Sequence, residues 1–275
     1  MIIHSDWHIH SENSYDATNP ITTIGDNANA QGLRSFGITD HANLNDDKFR
    51  KNIEDSAKNV KEMQTKYPNM ILGVELTTVE KPLYEYVCKH GTREGYIPPN
   101  KDGYLDKAVA YTKEELMALG IRYAVTGAHW SLMGPATSGD ELKNAITSWH
   151  DQQMYLACDE RTTILAHPWW NGKGLWYEDF SVIPRSMNLE LAAALKENGK
   201  YVECNSFFTG AKTTEKFRNQ YAEFLRELFE MGIPMTYGSD AHKTYHDYRP
   251  QVENYLSAVG FVDGDFSDLS EKDFW

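Results

Sequence analysis

Two hydrophobic patterns alternate along this chain. Seven short runs rich in β-branched and aromatic residues predict strands: Ile2–Trp7, Ser35–Thr39, Ile71–Leu76, Tyr123–Ala128, Thr162–Ala166, Tyr201–Asn205 and Pro234–Gly238. Several are apolar on consecutive positions, as in strands covered on both faces. Between them the period changes to that of a helix. Phe49, Ile53, Ala57, Val60 and Met63 share one helical face, as do Phe217, Tyr221, Phe224, Leu225 and Leu228. Asn19 predicts an N-cap with Pro20 at the first helical position. Thr112 with Glu115, and Ser138 with Glu141, have capping-box spacing, and Gly120 and Gly199 stand where helix ends need a left-handed residue. This alternation predicts a parallel α/β sheet, most simply a closed or nearly closed barrel, in one domain over residues 1–275.

Two segments break the rhythm. Glu80–Tyr111 reads as a long insertion after the third strand, carrying Tyr84, Tyr86, Tyr96, Tyr104 and Tyr111 and a Pro98-Pro99 break. Trp169–Arg185 reads as a second long loop, after the fifth strand. Long loops in compact domains often serve as lids or binding loops, so both are expected to shape substrate choice. Tyr84, Tyr86, Trp169, Trp170 and Trp176 supply rings able to cover a ligand.

Charge narrows the partners. Lys plus Arg number 27 and Asp plus Glu 40 among 275 residues, a formal charge of −13. Duplex nucleic acid and anionic membranes would be repelled at long range, whereas a small anionic substrate remains compatible if metal ions invert the local field. The longest stretch without formal charge, Tyr123–Gly139, has 17 residues and is too short and polar to span a bilayer. Met1-Ile2-Ile3-His4-Ser5-Asp6 lacks the regions of a secretory signal. Cys88, Cys158 and Cys204 are odd in number and far apart, which suggests buried thiols in a reducing compartment. A cytoplasmic protein is expected.

The histidines carry the chemistry. His8 and His10 end the first strand, His41 follows the second, Glu75 ends the third, His129 the fourth and His167 the fifth. Asp240 and His242 follow the seventh. Six strands thus present a potential ligand at the end that forms the catalytic face of an α/β barrel. His-x-His on a strand points both rings the same way. Imidazole with carboxylate suits zinc, manganese or iron. Asp6 and Asp40 stand where they could orient imidazoles. His4, His90, His150 and His246 lack this placement and are read as structural or surface residues, with His90 and His246 as secondary substrate contacts. Glu203, at the end of the sixth strand, suits a supporting or substrate-side role, and Cys204 suits the core.

The ordered set His8-x-His10, Thr39-Asp40-His41, His129 with His167, and Gly238-Ser239-Asp240-Ala241-His242 resembles the polymerase and histidinol phosphatase (PHP) superfamily of metal-dependent phosphoesterases, with Glu75 matching its bridging glutamate. The resemblance implies a distorted seven-stranded (β/α)7 barrel, TIM-like, and a centre of two to three divalent ions (Zn, Mn or Fe). It would give His8, His10, Glu75 and Asp240 to one ion, Glu75, His129 and His167 to a second, and Asp16, His41 and His242 to a third. It departs from histidinol phosphatases at Ser14-Tyr15-Asp16, where those enzymes usually have Cys-Pro-His, and at Asp40, where they often have Glu. The implied reaction is hydrolysis of a small phosphate ester by a metal-activated water with no protein nucleophile. A phosphomonoesterase is expected, acting on histidinol phosphate or on a nucleotide or sugar phosphate. Arg93, Trp169, Trp170, Lys173 and Lys243 are candidate substrate contacts. A barrel amidohydrolase and a non-catalytic regulatory module are the competing readings.

Overall fold

Gly73 divides the third predicted strand in two. A Cβ there would collide with the Tyr123 ring and Thr39 Cγ2, so the chain can pass only as glycine. Before it, β3 (Met70–Leu72) pairs with β2 (Phe36–Ile38), which pairs with β1 (Asp6–Ile9). After it, β4 (Val74–Glu80) joins a second sheet with β5 (Lys107–Val109), β6 (Ala124–Gly127), β7 (Ile164–Leu165), β8 (Tyr201–Asn205) and β9 (Met235–Gly238), in the order β5-β4-β6-β7-β8-β9. Every pairing is parallel except β5 against β4. This computed structural model describes residues 1–98, 106–132 and 140–275.

The expected seven-stranded barrel is not closed among the described residues: nine strands form two sheets, with antiparallel β5 at one edge, and the sheets meet only through single bridges, His41 to Glu75 and Ile9 to Ala241. Asp240 N donates to His8 O at 2.8 Å across the second seam. Ladders fail there for local reasons. The strands are short, Gly73 interrupts one seam, and Asp240 takes a positive φ of 54° at the other. The first strand also begins later than its apolar run suggests, because Ile2 and Ile3 pair their amides with Glu253 at 2.8 and 2.9 Å.

Eight α-helices are described: α1 (Ile21–Ala30), α2 (Asp47–Met63), α3 (Lys81–His90), α4 (Lys113–Ala118), α5 (Glu141–Cys158), α6 (Arg185–Glu197), α7 (Glu215–Glu230) and α8 (Arg249–Ala258). The two predicted apolar faces are buried in α2 and α7, except that Met63 is half-buried. Thr112 and Glu115 form the full capping box of α4. Two caps differ. Pro20 itself stands at the N-cap of α1, and Glu12 Oε2 accepts from Ile21 N at 2.6 Å in place of Asn19. Ser138 lies outside the described residues, and Asp140 caps α5. None of the described helices is long and apolar enough to cross a membrane.

The described parts of the segment 80–111 carry regular structure: α3 follows β4 directly, and β5 pairs antiparallel with β4. Tyr84 is half-buried against the core, Tyr86 stacks on His90, and Tyr111 is buried; Tyr104 and Pro99 lie outside the described residues. Of the cysteines only Cys204 is buried, and Cys88 and Cys158 are exposed on helices, contrary to expectation.

Candidate metal centre

Three parallel strand ends supply the floor of the site. A register irregularity between Asp6 and Ile9 sets three steps of β1 against two of β2, a bulge of the kind that re-aims side chains. His8 lies within it and His10 just past it, and their Nε2 atoms come 3.1 Å apart. Glu75 comes from β4 between them, its Oε2 at 3.2 Å from both nitrogens and 3.0 Å from His41 Nδ1. Its Oε1 lies 2.9 Å from His167 Nε2 and 3.0 Å from His129 Nε2. One carboxylate thus faces five imidazoles. Asp240 Oδ1 approaches His10 Nε2 at 3.3 Å, and Asp16 Oδ2 stands 3.4 Å from His41 and 3.5 Å from His242.

All nine predicted ligands therefore meet at one place. His8, His10, Glu75 and Asp240 bring four ligand atoms into one compact group. The other compact groups are His41, Glu75 and His129, and His10, His41 and His242. His41 and His10 reach further across the cluster than the implied partition has them, because their rings pack at 4.5 Å between centroids.

The donors fit ions better than they fit one another. Glu75 Oε2 has three ring nitrogens within 3.2 Å, yet none makes an aligned hydrogen bond to it, and His10, His41 and His167 each keep a buried Nδ1 without a partner. Buried polar atoms that converge without bonding are costly unless something else satisfies them. Nitrogen and oxygen donors with no thiolate among them suit zinc, manganese or iron. Electrostatics agree. Burial opposes the Glu75 carboxylate, but His41, His8 and His129 outweigh it and hold its pKa well below the usual range. Burial alone would lower the pKa of His8, yet Glu203, Glu75 and Asp240 raise it well above normal; His41 is raised to about 10 by Glu75 and Asp16 against the same penalty. Without ions, the cluster needs protons to balance its carboxylates.

The supporting contacts differ from expectation. Asp6 orients no imidazole. Its Oδ1 accepts from the backbone of His8 (3.2 Å) and Ser239 (3.0 Å), its Oδ2 from Tyr245, and burial raises its pKa to about 6. Asp40 likewise accepts from Ser11 and Ser56, fixing the loop before His41. The imidazole partners are Glu203, 2.8 Å from His8 Nδ1, Thr77, 2.9 Å from His129 Nδ1, and the backbone oxygen of Asp240, 2.9 Å from His242 Nδ1. Thr77 left no trace in the sequence pattern. Ser239 donates weakly to His8 O, which leaves it no nucleophile's role.

Among the substrate candidates, Trp169 is fully buried, its indole N–H donating to Asn188 at 2.9 Å, and Trp176 is buried with its N–H on Trp169 O. Both are packed in the core, with almost no surface exposed to meet a ligand. Trp170 stays at the rim, its ring 5.7 Å from His129 and 5.6 Å from His167. Lys173 pairs with Glu141 at 2.5 Å beside a cavity of about 370 Å³ that also borders His129, Trp130 and Trp149. Lys243 and His246 line a cleft of about 630 Å³ with Asp240 and His242. Arg93 packs on Phe49, and Phe49 on Tyr15, whose ring lies 5.3 Å from His41. His90 stacks on Tyr86, His4 pairs with Asp263, and His150 stacks on Trp169, so none of the three joins the cluster.

Nitrogen and oxygen donors gathered at the ends of parallel strands are the build of a metallohydrolase site. The chain belongs to the PHP domain family, whose model matches residues 6–169. Asp240 and His242 lie beyond the matched stretch. No curated protein matches the chain. Among solved structures it is similar to a histidinol phosphate phosphatase from Lactococcus lactis complexed with zinc, L-histidinol and phosphate, at 14% identity and a TM-score of 0.69, covering 100% of this chain and 99% of that one. It is also similar to a protein from Listeria monocytogenes assigned as a histidinol phosphatase, at 14% identity and a TM-score of 0.58, covering 87% of this chain and 95% of that one.

Proposed function

We propose that this chain hydrolyses small phosphate esters, phosphomonoesters first among them, using two to three divalent ions of zinc, manganese or iron. The observation that carries this is Glu75, whose two oxygens face five imidazole nitrogens while its buried Oε2, with three of them within 3.2 Å, is left without a hydrogen bond. His8, His10, Glu75 and Asp240 would hold one ion, Glu75, His129 and His167 a second, and Asp16, His41 and His242 a third. Ions held there supply charge neutralisation for phosphate oxygens and make water a stronger acid. The histidinol phosphate phosphatase that shares the fold supports a phosphomonoester substrate, and the strand-end cluster supports the distorted barrel as the scaffold.

The chain's own residues define the approach. His8, His10, His41 and Glu75 are sealed from water and form the floor. The side chains of Asp16, His129, Asp240 and His242 keep 33%, 15%, 20% and 28% of their surface exposed, so phosphate must enter over that edge. Lys243 is exposed on the same cleft and can meet an anionic substrate there. Trp130 and Trp170 form an aromatic wall beside His129, able to cover the ester and limit water. Among the described residues the ion-pair partners of Glu75 are all histidines, with no lysine among them, which leaves a barrel amidohydrolase without its expected bridging lysine.

The test is a panel of phosphomonoesters and phosphodiesters with protein reconstituted in zinc, manganese or iron. Ion-dependent turnover of monoesters is the expected result, with Tm lowered by chelation because ions bind only the folded cluster. Fewer than two ions per chain after reconstitution, or turnover indifferent to chelation, would refute the reading.

A further inference from the structure

Resting on the metal-centre reading above, we infer that Glu203 is the positioning residue that aims ligands of two different ions at once. Its Oε1 lies 2.8 Å from His8 Nδ1. Its Oε2 accepts from His167 N at 2.6 Å and from Asn205 Nδ2 at 3.0 Å. His8 belongs to the four-ligand group around Asp240, whereas His167 faces Glu75 Oε1 on the other side of the bridging carboxylate. A single side chain on β8 therefore touches a ligand on each side of Glu75.

Each contact fixes a different quantity. An ionised carboxylate can only accept, so it places the His8 proton on Nδ1 and leaves the Nε2 lone pair facing the cluster. A carboxylate behind a ligating imidazole also raises the basicity of that ring. At His167 the quantity is backbone. This residue holds φ at 29°, a sparsely populated conformation for a residue with a side chain, and the bond to its N–H keeps it there. Asn205 completes the unit. Its amide donates to Glu203 and lies 3.4 Å from Asp240 Oδ2, while its Oδ1 accepts from Phe207 N at 2.9 Å. The sheet reserves room for this carboxylate. A Cβ at Gly238, on the neighbouring strand, would overlap Glu203 Oε1 and His8 Cβ.

The donor and acceptor arithmetic makes glutamine a sharp probe. Glutamate offers two accepting oxygens, and both are used. Glutamine has the same shape but one oxygen. If the oxygen serves His8, an NH2 group confronts the His167 N–H; if it serves His167, the NH2 confronts His8 Nδ1 and drives the ring proton to Nε2, where it blocks the ligand position. E203Q is therefore expected to bind its most affected ion roughly 10–100-fold more weakly.

The experiment is a zinc titration of ion-free wild type and E203Q against a chromogenic chelator, with 15N NMR of the His8 ring in the zinc-loaded proteins. The expected result is a selective loss at one or two of the binding steps and a shifted His8 nitrogen pattern, in a chain whose circular dichroism is unchanged. Affinities within twofold of wild type at every step, or an unchanged His8 pattern, overturn the inference. Should E203Q fail to fold, E203D keeps both oxygens one methylene short; weaker zinc binding there supports the role and wild-type binding overturns it. A wild type that takes up no zinc at all overturns the metal-centre reading itself, and this inference with it.

Discussion

The same strands carry two unlike interiors. At their C-terminal ends His8, His10, Glu75, His129 and His167 converge in a polar, charge-balanced cluster. Towards their starts Trp7, Tyr123, Val125 and Ile164 pack with Leu269 into a dry plug, on which Phe274 from the last residues rests. Tyr123 even donates its hydroxyl to Trp7 O at 2.8 Å, and glycines at 37 and 73 leave room for its ring. Trp7 is followed directly by His8, the first of the proposed ligands. Each kind of substitution should therefore be felt in a different way: loss of apolar volume at the plug is a stability cost, and loss of a donor at the cluster is a functional one.

The largest effect should come from Glu75→Gln. Removing the charge shared by five imidazoles should cost far more than the roughly 10–100-fold typical of an outer partner, so phosphatase activity should fall below detection and the ion count per chain should drop. Asp240→Ala and His10→Ala should follow it closely. Near-wild-type turnover in any of the three would dissolve the division between the two ends.

At the opposite end, Trp7→Ala removes a side chain that is 1% exposed and packed edge-on against Tyr123 at 5.6 Å. The expected loss is roughly 3–5 kcal/mol of stability, read by denaturant unfolding. Zinc affinity and kcat of the protein that remains folded should stay close to wild type. A loss of ions in proportion to the loss of stability would show that the plug and the cluster are one unit.

How much of this was legible follows from what each feature depends on. His8 and His10, like Asp240 and His242, are two residues apart, and a two-residue period is visible in any sequence. Strand ends follow apolar runs, so the convergence of nine donors could be read without coordinates. Gly73 hid its break inside one apolar run, since splitting that run depends on the Tyr123 ring fifty residues away. Asp6 was misassigned because bulges leave no mark on composition: the carboxylate was expected beside imidazole and binds backbone instead. Glu203 could be placed at a strand end, but its bond to His8 depends on β8, β9 and β1 lying side by side. The helix cap at Asn19 failed for a similar reason, with Glu12 arriving from outside the local motif.

The adjacent tryptophans repeat the two-ended comparison on a small scale. Trp169 holds φ at 61°, which turns it into the core while its neighbour remains at the rim. Trp169→Ala should therefore lose roughly 3–5 kcal/mol of stability and leave relative substrate preference unchanged. Kinetics on the folded fraction, with two chemically unlike phosphomonoesters, would check this.

Trp170→Ala should give the smallest effect and the one most specific to function. The ring is half-buried, lies within 6 Å of both His129 and His167, and uses its backbone oxygen, not its indole, to accept from Trp149. Truncation therefore leaves that internal bond in place and removes only the wall. A lost aromatic contact is worth about 0.5–1.5 kcal/mol, which corresponds to about two- to tenfold in binding. That loss should fall on an aryl phosphate and spare an alkyl phosphate, because only a flat leaving group can stack on the ring. It should appear mainly in KM, since the wall touches the leaving group and none of the proposed ligands changes. Measuring kcat/KM for the two esters in both tryptophan variants separates the cases. An aryl-to-alkyl ratio that moves only in Trp170→Ala assigns the wall to substrate recognition. An unchanged ratio in both variants would return Trp170 to rim packing and move specificity to the cleft beside Lys243.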